Sequence, residues 1–137
     1  MEKIIWDDKF SVGIEWIDKQ HRQIINMINT LLDNYNSLDS SSDQLHDLLN
    51  AMTGYFRNHF DNEEKFLKEI AFPELEKHNK LHFDYIDKTV DLNFDVMAKK
   101  DNISNEMMKF LIYWWKNHIL IEDMKYKEYI NHASSFF

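Results

Sequence analysis

The sequence predicts an all-α protein: an antiparallel up-down-up-down four-helix bundle preceded by an irregular N-terminal arm. Apolar residues recur at helical spacing in four long stretches, and the segments joining them are short, as neighbouring antiparallel helices require. Only two glycines and one proline occur in 137 residues, far fewer than a protein of sheets and tight turns uses. Hydrophobic residues make up 44% and aromatics 15%, enough to bury one core, so residues 1–137 are expected to form a single domain.

Residues before Ile17 carry Gly13 and scattered aromatics and read as the arm. The first helix follows in "IDKQHRQIINMINTLLDNYNSL", with Ile24, Ile25, Ile28, Leu31 and Leu32 on one face and Asp18 as its expected N-cap. "DSSSDQ" is the clearest loop; Ser41 with Gln44 has the form of a capping box opening a second helix. That helix carries an apolar stripe of Leu45, Leu48, Leu49, Met52, Tyr55 and Phe56 and should run to about Ile70. Pro73 ends it and suits the first turn of a third helix, which continues to "AKKDN". Ser104 is the expected cap of the fourth, which begins "NEMMKFLIYWWKNHI" and passes Tyr126.

A net charge of −8 argues against nucleic acid and against an anionic membrane surface, both of which need clustered Lys and Arg. The absence of cysteine removes disulfides, thiolate metal sites and cysteine nucleophiles together, so any metal must be held by nitrogen and oxygen. The N-terminus lacks a basic-then-apolar signal pattern and no apolar run is long enough for a bilayer, so a cytoplasmic protein without a membrane span is expected.

Residues four apart on a helix are rotated by roughly 40° and rise about 6 Å, so His59 with Glu63, and His78 with His82, can each face one point. One such pair is commonly only a wet-face ion pair. Here the pairs lie among Tyr55, Phe56, Phe60, Phe66, Leu81 and Phe83, and His118 lies within "YWWKNHILI". Buried imidazoles need partners, and several of them together with carboxylates are most simply satisfied by a metal. His21 lies in helical step with Ile24, Ile25 and Ile28, near the inward face of the first helix. His46 and His132 lack such surroundings and read as ordinary surface or packing residues.

Taken together, "WDDKFSVGIEWIDKQH", "NHFDNEEKF" with its His-Phe-x-x-Glu-Glu motif, "FPELEKHNKLH" and "WWKNHILIEDMKY" resemble the hemerythrin family. These are non-heme di-iron oxygen-binding four-helix bundles, and the likeness is greatest to the single-domain bacterial members and covers nearly the whole chain. The resemblance implies two iron ions with an oxo or hydroxo bridge. His78, His82 and His118 would hold one, His21 and His59 the other, and Glu63 and Asp123 both. It further implies that dioxygen binds reversibly at the open position of the second ion, in a carrier, store or sensor that is not an enzyme. By the same analogy Ile24, Phe60, Trp114, Trp115 and Ile119 should line an apolar oxygen pocket, with Trp115 filling much of it where relatives carry an aliphatic residue.

Two features temper or refine that picture. Oxygen-activating di-iron bundles use mainly carboxylates with Glu-x-x-His motifs, and no histidine here has Glu three residues before it. The competing expectations are a di-iron oxidoreductase acting on peroxide or nitric oxide and an iron-storage or sensing module. Second, Asp123 follows His118 by five residues, an offset of roughly 140° on a regular α-helix, whereas Glu122 has the easier spacing. Asp123 can face the site only if the helix has a π-type bulge or unwinds locally between the two.

Overall fold

The computed structural model describes residues 1–36, 42–99 and 105–134, with the side chains of 42–46, 93–99 and 134 outside that description. A 3-10 turn, Asp8–Phe10, sits in the arm; the helices are α1 (Glu15–Asn36), α2 (Ser42–Glu69), α3 (Leu75–Lys99), α4 (Asn105–Asn117) and α5 (Asp123–Ser134). A π-turn, His118–Glu122, joins α4 and α5 into the fourth rod. Among the described residues there is no strand. Each helix packs on the next, and α1 closes the ring against α4.

Pairs of facing residues run in opposite directions, which fixes the antiparallel order. From α2 to α3, Glu63 meets His78 and Phe56 meets Tyr85; from α3 to α4, Tyr85 meets Phe110 and Lys88 meets Glu106. The bundle is the four-helix architecture expected from the apolar periodicity.

Two details depart from the sequence reading. Asp18 does not cap α1, which starts at Glu15; it lies in the first turn, with its N–H bonded to Ile14 O. Its carboxylate instead accepts from Val12 N (2.8 Å) and Ser11 Oγ (2.6 Å), tying the arm down beside Gly13, whose φ of 81° needs glycine. Pro73 is not in the first turn of α3. It occupies the turn closed by Leu75 N→Phe72 O, where its fixed φ suits the second position. Helix α2 ends where expected, in a Schellman pattern: Phe72 N bonds Leu67 O and Ala71 N bonds Lys68 O, with Ala71 at φ 54°. The caps assigned to Ser41 with Gln44 and to Ser104, and the reading of the His46 side chain, fall outside the described residues.

The core has two apolar parts. The larger runs along the bundle through Ile24, Ile28, Leu31, Leu49, Met52, Phe56 and Trp115. The smaller closes the end nearest the α2–α3 turn with Val12, Ile17, Leu67, Phe72 and Tyr126. Each Ile, Leu or Phe removed from water stabilises the fold by about 1.5–3 kcal/mol, so these clusters set the helix positions. A buried polar layer lies between them.

Candidate metal centre

That layer holds His21, His59, Glu63, His78, His82, His118 and Asp123, each no more than 4% exposed. Helix α1 supplies His21 and α2 supplies His59 and Glu63 one turn apart; α3 supplies His78 and His82 one turn apart. The fourth rod supplies His118 and Asp123 from either end of the π-turn, where Asp123 N bonds His118 O, five residues back. The widened turn absorbs the extra residue, so both side chains face inward and Asp123 Oδ1 lies 3.1 Å from His118 Nε2. Glu122, at the easier spacing, points elsewhere and pairs with Lys125 at 3.0 Å.

The seven side chains divide into two unequal groups. Glu63 Oε1 lies 2.8 Å from His78 Nε2 and 3.2 Å from His82 Nε2, while Oε2 lies 3.4 Å from His59 Nε2 and 3.5 Å from His21 Nε2. Asp123 spans the same gap, with Oδ1 3.2 Å from His78 and Oδ2 3.3 Å from His21. Three imidazoles therefore gather on one side and two on the other, with a carboxylate oxygen of each acid turned to each side. Glu63 with His78, His82 and His118 forms one set able to hold an ion, and Glu63 with His21 and His59 forms a second.

The donor set fits cations better than protons. His21 Nε2 and His59 Nε2 are 3.1 Å apart, as are His82 Nε2 and His118 Nε2, though only one nitrogen of such a pair can donate. Both Asp123 oxygens are buried without an aligned hydrogen bond, and leaving such groups unsatisfied costs about 1–3 kcal/mol each. Two ligands held about 2.1 Å from an ion at a right angle stand about 3 Å apart, close to the separations seen here.

Without a cation the charges settle awkwardly. Burial pushes Glu63 up, but the surrounding His21, His59, His78 and His82 hold it well below the carboxylate range. Burial and Glu63 likewise push Asp123 up, yet His118 and His78 leave it depressed. Burial opposes charge on His78, and Asp123 and Glu63 overcome it, raising it to about 10; His82 is raised by Glu63 and Glu64 against the same penalty. On His59 and His118 burial wins, and both are lowered.

Several supporting groups have no one-turn signal in the sequence. Gln20 Oε1 accepts from His59 Nδ1 at 2.7 Å, which fixes the tautomer and aims Nε2 inward. Tyr126, kept protonated by burial and by Asp123 and Glu63, donates to Glu63 Oε2 at 3.2 Å. Its position three residues after Asp123 was the one available hint, since the two share a helix face.

Of the five expected pocket residues, Ile24, Phe60, Trp115 and Ile119 are buried together in the larger core cluster. Phe60 stacks on the His82 ring at 3.9 Å and on Trp115 at 5.2 Å. Trp115 is fully buried, 6.0 Å from the His59 ring, and its Nε1 donates to the Tyr85 hydroxyl at 2.9 Å. Trp114 lies differently: only half-buried, it stacks flat on His118 at 4.3 Å and lines an outer groove with Phe110, Tyr113 and Ile121. Consecutive residues on a helix diverge by about 100°, and here that divergence turns Trp115 into the core and Trp114 toward its edge. His132 is exposed, away from this layer.

A four-helix bundle with a buried layer of five histidines and two carboxylates that face both groups of them defines a class of cation-binding helical proteins. The profile of the hemerythrin HHE cation binding domain matches residues 12–130, and the chain belongs to the hemerythrin family. It is 32% identical over 126 residues to a bacteriohemerythrin of Clostridium acetobutylicum, covering 89% of this chain and 97% of the relative. A bacteriohemerythrin of Stenotrophomonas maltophilia is 29% identical over 137 residues, 99% of this chain and 88% of the relative. A myohemerythrin of Theromyzon tessulatum is 28% identical over 122 residues, 89% of each chain.

Proposed function

We propose that this protein binds dioxygen reversibly at a pair of non-heme iron ions, as a carrier, store or sensor in the cytoplasm and not as an enzyme. The observation that carries the reading is the unequal division of donors. His78, His82 and His118 would hold one ion, His21 and His59 the other, and Glu63 and Asp123 both, which leaves the second ion a donor short. When bound, the iron pair supplies the electrons that hold dioxygen reversibly.

The chain's own residues supply the rest. Gln20 orients His59, and the Tyr126 hydroxyl holds Glu63 Oε2 in its spanning position. Trp115 beside His59 and Phe60 flat on His82 present apolar rings to the layer, and with Ile24 and Ile119 of the same core cluster they would exclude water and the protons it carries. The set is dominated by neutral imidazoles, which favour the lower oxidation state and so favour holding oxygen over activating it.

Metal analysis with optical spectra of the reduced protein before and after exposure to air tests this. About two irons per chain and an absorption band that appears with oxygen and disappears when oxygen is removed are expected. Irreversible oxidation, or turnover of peroxide or nitric oxide, would replace this reading with a di-iron oxidoreductase. Uptake of iron well beyond two per chain would indicate storage.

A further inference from the structure

A cleft of about 590 Å³ opens between the N-terminal arm and the outer face of α4, outside the ring of imidazoles. Its apolar wall is formed by Ile5 from the arm and Ile112, Tyr113 and Leu120 from the fourth rod. Two of these are unusually wet for their type, Ile5 being 80% exposed and Tyr113 64%. The volume lies within the range of small-molecule pockets, about 300–1,000 Å³.

The charge around this wall runs against the rest of the chain. Lys3, Lys9, Lys109 and Lys116 border the cleft against only Glu2 and Asp7, in a protein of net charge −8. Lys3 is answered by Asp33 at 2.9 Å, but Lys9, Lys109 and Lys116 form no ion pair among the described residues. The Asp7 carboxylate is engaged by the backbone N–H of Lys9 at 2.8 Å. On α4 the sequence places Lys109, Ile112, Tyr113 and Lys116 at steps of three, one and three, so cations flank apolar residues along one helix face.

We infer that this cleft binds an amphipathic carboxylate of the fatty-acid kind, its apolar tail along Ile5, Ile112 and Tyr113 and its head group among Lys9, Lys109 and Lys116. Uncovered apolar wall beside uncompensated cations matches both ends of such a molecule. Screening confines charge effects to about 8–10 Å in physiological salt. A single carboxylate therefore feels mainly the local lysines, whereas an extended anionic bilayer meets the whole acidic surface and is repelled. The site is separate from the metal centre, and its occupancy does not depend on the oxygen-binding reading.

Calorimetric titration of the full chain with decanoate, below the concentration at which it forms micelles, tests the inference, with decylammonium as the matched cation. Saturable one-to-one binding of decanoate, at least tenfold tighter than decylammonium, is expected. The double variant Lys109→Glu, Lys116→Glu should weaken decanoate at least tenfold while far-ultraviolet circular dichroism and metal content stay unchanged. Ile5→Asp should also weaken it, and Lys88→Glu, outside the cleft, should not. Equal affinity for both head groups, an unaltered affinity in the double variant, or no saturation by about 1 mM would overturn the proposal. So would co-sedimentation with phosphatidylglycerol vesicles in the absence of one-to-one decanoate binding, which would mark the surface as a lipid contact.

Discussion

Gln20 shows how much of a buried site depends on a side chain that never enters it. Its carbonyl oxygen holds the Nδ1 proton of His59 and leaves Nε2 free to face the layer. Gln20→Ala should lower affinity for the metal of the two-histidine side by about 10–100-fold, measured by chelator competition, while Gln20→Glu retains it. Trp115 acts through bulk: Trp115→Leu should cost about 2–4 kcal/mol of stability from lost packing. If the proposed oxygen binding holds, it should also change the rates of oxygen release and autoxidation; unchanged rates would remove Trp115 from the proposed pocket. The inward facing of His59 with Glu63 and of His78 with His82 was legible in their one-turn spacing, a local property. His21, His118 and Asp123 were singled out only by the order of the family motifs, Asp123 against its own spacing. Gln20 was not legible, because its partner lies 39 residues away and nothing in its neighbours announces the contact.

At the scale of elements, the π-turn carries the most consequence. An α-helical path through His118–Glu122 would rotate Asp123 by roughly 100° out of the layer. Deleting Ile121, which is 56% exposed, restores a four-residue spacing, so helical content and metal content should both survive. Inserting one alanine at the same place should abolish half or more of the bound metal, as measured by elemental analysis. The bulge was foretold by the five-residue spacing together with the family resemblance that singles out Asp123; the spacing alone would have favoured Glu122 on a regular helix. Asp18 was misread for the opposite reason. A short acid near a helix start looks the same whether it caps its own helix or, as here, ties Ser11 and Val12 of the arm. Ala71 sits in a left-handed conformation that disfavours any side chain by about 1–2 kcal/mol. Ala71→Gly should accordingly stabilise the protein, by up to about 1 kcal/mol once the extra freedom of the unfolded glycine is offset.

At the scale of the whole molecule, the polar layer separates two apolar clusters and sets how the metal-free protein answers pH. His78 is raised to about 10 and His82 is raised with it, so their contribution is complete below the unfolded value of about 6.5 and is lost as pH rises above it. His59 and His118 are lowered by burial, so the unfolded chain takes up their protons first and stability is lost as pH falls below about 6.5. Glu63 and Asp123, both depressed, add a further loss in stronger acid. Denaturant melts of the metal-free protein should therefore show maximum stability near pH 6.5, falling on both sides; a plateau from pH 5 to 9 would contradict this. The flat stacking of Trp114 on His118 at 4.3 Å has a further consequence. An indole excited beside a metal-bearing imidazole loses its emission, whereas Trp6 and Trp16, in the arm and at the start of α1, are not stacked on any of the five layer histidines. The intrinsic fluorescence of the chain should thus report occupancy of the layer by a redox-active ion such as iron, dimming as the ion enters and returning as it leaves, without any added dye.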